Sequence, residues 1–83
     1  MPLSKKYIPI DCNFYDRFEA AIVLRKTVML EYLDENGQPK TAESKLKDTQ
    51  TKNGEEFLIL PTGGRIRMDQ IISLDGEPVP KTC

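Results

Sequence analysis

The sequence contains no histidine and no tryptophan. Without imidazole, the usual general base at neutral pH and the commonest metal ligand are both missing. No Ser/His/Asp or Cys/His set can be assembled. Cysteine is scarce: Cys12 and Cys83 stand 71 positions apart and, with no histidine to join them, do not make a zinc site. Two cysteines are also too few for a disulfide framework, so Cys12 reads as a small apolar filler and Cys83 as a frayed end of a reduced, cytoplasmic chain. Long apolar runs are absent. The longest, residues 20–24, falls far short of the roughly 20 residues that span a membrane, and residues 1–6 are not followed by the apolar segment of a signal peptide. An excess of one charge is absent too. Twelve basic and 13 acidic residues give a net charge of −1 and a pI of about 5.4, whereas a dedicated nucleic-acid binder often has a pI above about 9. Direct nucleic-acid binding is therefore not expected from the total, although a local patch would escape it.

Catalysis has little else to draw on. Gly63 and Gly64 lack the surrounding pattern of a phosphate-binding loop. Carboxylate pairs such as Asp16 and Glu19 have no neighbours that would raise a pKa. The expectation is a non-enzyme with no catalytic residue, no metal site and no cofactor.

What is present is enough for one domain, residues 1–83, with 1–6 and 77–83 as loose tails. The organising stretch runs from Tyr7 to Leu24. At about 100° per residue, Phe14, Tyr15, Phe18, Ala21 and Ile22 fall within an arc of about 120°, a core-facing stripe on a helix at about 13–24. Asp16 and Glu19 project to the other side, with Val23 between them. Arg25 would fall in the apolar stripe, so the helix ends near Leu24. Either Asn13 or Asp11 can serve as N-cap; Asp11 would also pair Ile10 with Tyr15 as a hydrophobic staple. Pro9 holds Ile8 extended and prevents an earlier start.

The remainder reads as strands and tight turns. Residues 27–33 are rich in β-branched and large apolar side chains. Asn36-Gly37 and Asn53-Gly54 are hairpin signals. Residues 40–52 read as a long strand whose inward side carries Ala42, Ser44 and Leu46; a helix is the rival, because Ala, Glu, Lys and Leu are good helix formers, and the threonines and flanking hairpin signals favour the strand. Residues 55–60 are the most hydrophobic strand. Residues 65–68 turn Ile66 and Met68 inward, Asp69 and Gln70 interrupt, and 71–74 follow before a turn at Asp75-Gly76. The pattern predicts a mainly β fold: a small antiparallel barrel of about five strands preceded by one α-helix. Closure would remove the exposed edges of an open sheet.

Two groups of charges are candidate contact residues. Lys45 and Lys47 share one side of a strand, as do Arg65 and Arg67, which makes an RNA-contact strip conceivable. The plainer expectation is solvated strand faces paired with Glu43, Glu55 or Glu56. Asp11 and Asp16 lie near a helix N-terminus, where negative charge is stabilising by about 0.3–1 kcal/mol, so capping and dipole compensation compete with partner binding as their role.

The spacing Tyr7-x-Pro9-Ile10-x-Cys12-x-x-Tyr15-Asp16-x-x-Glu19, followed by Leu30-Glu31, then Glu56 to Leu60 and Ile66 to Ile71, resembles the Rho-binding antiterminator family, often called Rof. The resemblance covers most of the chain, and its specific part is the N-terminal segment. It implies an Sm-like, that is SH3-like, barrel with an N-terminal helix. It also implies a monomeric bacterial regulator that binds the transcription termination factor Rho and blocks its primary RNA-binding site. Carried over by position, Tyr15, Asp16 and Glu19 match the motif and Asp11 lies beside it. Where enterobacterial members carry acids between the cysteine and the tyrosine, this chain has Asn13 and Phe14, so its helix surface is less acidic.

Overall fold

The computed structural model describes residues 7–81. One helix, α1 (Cys12–Leu24), precedes seven strands and a 3-10 turn: β1 (Thr27–Leu33), β2 (Pro39–Lys45), β3 (Asp48–Lys52), β4 (Glu55–Ile59), β5 (Arg65–Arg67), the 3-10 turn Met68–Gln70, β6 (Ile71–Leu74) and β7 (Glu77–Pro78). The fold is mainly β, as the residue patterns predict. The strands form two antiparallel sheets, in the order β2-β1-β6-β7 and β3-β4-β5. Among the described residues no strand pair joins the two sheets.

Asp11 is the N-cap of α1: its side chain accepts a hydrogen bond from the Phe14 backbone N–H at 3.0 Å. Of the two caps the sequence allows, the staple-forming one is used, and Ile10 is buried beneath it. The helix ends at Arg25, which takes the left-handed conformation (φ 54, ψ 41) and directs its backbone N–H at the carbonyls of Ala21 and Ile22. Phe14, Phe18 and Ala21 are buried, with Tyr15 and Ile22 packed partly against them. They meet Val28 and Leu30 of β1, Leu58 of β4, Ile66, Met68, Ile71 and Leu74 in one core. The rings of Phe14 and Phe18 lie edge to face, 5.7 Å between centroids.

The long strand expected over 40–52 is divided. It breaks at Leu46 and Lys47, and its halves, β2 and β3, belong to different sheets. Leu46 is buried at the corner, while Ala42 and Ser44 on the same side are partly buried, so the inward face is the expected one. A buried leucine between exposed lysines fixes the bend: an uninterrupted strand would carry it past the core. The turns follow local chemistry. Asn53-Gly54 and Asp75-Gly76 each have both residues at positive φ, the signature of the tight primed hairpin turn.

One expectation is corrected at the C-terminal end. Residues 77–81 are not a loose tail. Glu77–Pro78 is a strand on β6, Val79 is buried, and the Pro80 carbonyl accepts the Asp11 backbone N–H at 2.9 Å. The segment is held because it supplies both a core side chain and an acceptor for the helix entry. The expected loose ends at 1–6 and 82–83 lie outside the described residues.

Candidate partner-binding surface on the helix

The outward stripe of α1 carries Cys12, Asp16, Glu19 and Val23, all exposed. They recur at intervals of three and four residues, so they lie one above another along one side of the cylinder. Asp16 and Glu19 make no hydrogen bond or ion pair with any described residue. Arg17, between them in sequence, points elsewhere: it pairs with Glu77, and its guanidinium lies 5.1 Å from the centre of the Phe14 ring. Nothing on the helix neutralises the two carboxylates. Val23 is 77% exposed beside them, an apolar contact framed by negative charge.

The four candidates on this segment divide by role. Asp11 is partly buried and its carboxylate is committed to capping. Tyr15 is half-buried, anchored in the core margin. Asp16 is the fifth helical residue, beyond the first turn, where the helix dipole no longer accounts for a carboxylate. Capping therefore explains Asp11 and leaves Asp16 and Glu19 available. Tyr15 and Asp16 also line a shallow hollow of about 270 Å3 with Pro9, Ile10, Cys12 and Glu56. Glu56 comes from β4 and was not foreseen beside the helix; the sequence shows it only as one of several strand acids. Its carboxylate accepts the Tyr7 hydroxyl at 2.9 Å. Burial and this bond raise the Tyr7 phenol well above its ordinary value of 10.0.

Cys12 is exposed and disulfide-bonded, which corrects its reading as a reduced apolar filler. Its place on the outward stripe keeps it from the core. The expected fraying of Cys83 falls on a residue outside those described.

The four basic candidates are not brought together. Arg67 is 2% exposed, which removes it from any surface strip. Its Nε and Nη2 donate to the two carboxylate oxygens of Asp69 at 2.6 and 2.7 Å. Asp69 is itself buried and also accepts the Ile8 backbone N–H at 3.1 Å, while its carbonyl accepts Lys81 Nζ at 2.5 Å. The Asp69 carboxylate holds the Arg67 guanidinium still more firmly protonated than usual. Arg67 also faces the Tyr7 ring at 5.8 Å and Glu55 at 3.8 Å. The physical reason for the correction is the 3-10 turn after β5, which folds Asp69 back over the arginine two residues before it. Arg65 is exposed, 5.0 Å from the Phe57 ring centre, in a hollow that buried Arg67 also lines, together with Tyr32, Leu60 and the acids Asp34 and Glu35. Lys45 and Lys47 are exposed in a different hollow, with Arg25.

No protein-family model matches this chain, and no curated protein matches its sequence. Among the described residues no helix is long and apolar enough to cross a membrane.

Proposed function

We propose that the chain is a non-enzymatic regulatory binding protein of the Rho-binding antiterminator kind, which lays the outward face of α1 on the primary RNA-binding site of Rho. The observation that carries this reading is the pair of exposed carboxylates, Asp16 and Glu19, without a partner among the described residues and beside exposed Val23. A surface shaped for phosphates is basic, and an acidic helix face matches it in charge, which speeds docking and fixes orientation. The motif around Tyr15, Asp16 and Glu19 supports the same partner by resemblance. The chain would act in the bacterial cytoplasm, as a monomer, keeping the Cys12 disulfide in a compartment that reduces most others.

An Sm-like barrel belongs to the same proposal. If β2 and β3 are taken as two halves of one bent strand, the strand order runs β7-β6-β1-β2/β3-β4-β5, and the 3-10 turn links β5 to β6 in sequence. A bent strand that passes from one short sheet to the other is how such sheets turn a corner, and this supports a small barrel. The test is co-elution with purified Rho on a sizing column. A stable complex supports the reading. Separate elution at micromolar concentrations of both proteins removes Rho as the partner.

A further inference from the structure

A second charged surface lies at the other end of the helix. Arg25, Lys45 and Lys47 surround a hollow of about 380 Å3 floored by Ile22, Leu46 and Pro61. The fold assembles it from separate stretches. The β1–β2 register sets Lys45 opposite Thr27, two residues after the helix cap Arg25. The Leu46–Lys47 corner then carries Lys47 past the end of β4, where its backbone N–H donates to the Ile59 carbonyl at 2.9 Å. All three cations are exposed, none forms an ion pair with a described residue, and no carboxylate lines the hollow. In a chain of net charge −1, three cations converging without an acid repel one another.

Arg25 adds an independent observation. It occupies a left-handed position at the helix end, where glycine is the ordinary residue and any other side chain is strained. A nearby helix C-terminus favours a cation, which offsets part of that cost. It does not account for two further lysines brought to the same hollow.

We infer that this hollow binds the phosphodiester backbone of single-stranded RNA. The hollow offers a small free anion few fixed donors, because the backbone N–H groups of Arg25 and Lys47 are spent on carbonyls. The charged donors of the hollow are all long, mobile side chains. Such point charges suit a polyanion that passes through an open hollow, and the aliphatic floor of Ile22, Leu46 and Pro61 offers apolar contact to a ribose without an aromatic ring to stack a base. The site differs from the strip predicted from sequence: Arg67 is buried and Arg65 lies in another hollow.

The experiment is fluorescence anisotropy of a labelled oligouridylate with the full chain and no Rho, so that it stands or falls separately from the proposed partner. Weak binding is expected, with a log–log salt slope of roughly −2 for three phosphate contacts. Lys45→Gln with Lys47→Gln should lower affinity at least tenfold and reduce the slope by roughly 1.4. Arg25→Gly should lower affinity several-fold without loss of thermal stability, since glycine fits the cap. Arg65→Gln should stay within twofold of the wild type. No salt-dependent binding at low salt overturns the inference, as does undiminished binding by the lysine double variant. Equal binding of a poly-glutamate peptide with the same variant dependence also overturns it and assigns the hollow to acidic proteins.

Discussion

The chain treats two of its charged groups in opposite ways. Arg67 and Asp69, two residues apart, are buried and fully engaged with each other, with Ile8 and with Glu55. Asp16 and Glu19, three residues apart, are exposed and engaged with nothing described. Written out, the two pairs look equally polar. The difference is their distance from the core. A charge that must be buried needs every bond satisfied, whereas a charge kept in water costs nothing to leave unpaired. The first pair therefore belongs to the fold, and the second, unpaired among the described residues, does not.

The largest break in that contrast should come from the buried pair. Asp69→Ala leaves Arg67 buried and uncompensated, which should cost about 3–5 kcal/mol. At about 4–8 °C per kcal/mol for a domain of this size, the melting temperature should drop by more than about 12 °C. Arg67→Met combined with Asp69→Leu should recover most of that loss, because no orphaned charge remains; thermal melts of the single and double variants check both. Next comes the helix cap. Asp11→Ala removes the acceptor for the Phe14 N–H and should cost about 1 kcal/mol in denaturant unfolding. If the loss is negligible, Asp11 belongs with the free acids instead.

A smaller effect separates Tyr7 from the exposed groups. Its folded phenol is raised above its ordinary value by burial and by Glu56. The unfolded chain therefore releases this proton first as pH rises. The contribution to stability is complete below the unfolded value of 10.0 and is lost as pH climbs beyond it. Tyr7→Phe should cost about 1 kcal/mol near neutral pH and should remove this part of the alkaline loss; urea unfolding at pH 7 and above pH 10 measures both. Smallest of all, Asp16→Lys with Glu19→Lys should change unfolding free energy by less than about 0.5 kcal/mol each, as surface substitutions do. A larger loss would mean that the stripe is part of the fold.

Legibility followed the range of the interactions. The helix at 13–24 matches Cys12–Leu24 because its stripe, its Pro9 barrier and its cap are all local. The turns at Asn53-Gly54 and Asp75-Gly76 needed only two residues each. Asp16 and Glu19 were placed outward by the same helical spacing. Burial of Arg67 was hidden, since alternation along a strand says nothing of a 3-10 turn that brings Asp69 back. The docking of Val79 and Pro80, the approach of Glu56 to Tyr15, and the meeting of Arg25 with Lys45 depend on contacts distant in sequence. The exposed, bonded state of Cys12 also ran against composition, which registers two cysteines as too few to matter.

The most direct measurement is displacement of labelled RNA from purified Rho by the wild-type protein and by the Asp16→Lys, Glu19→Lys double variant, both shown folded by their melts. The wild type should displace the RNA and the variant should fail at concentrations at least tenfold higher. Equal displacement by both would contradict the assignment of the helix carboxylates as the docking charges.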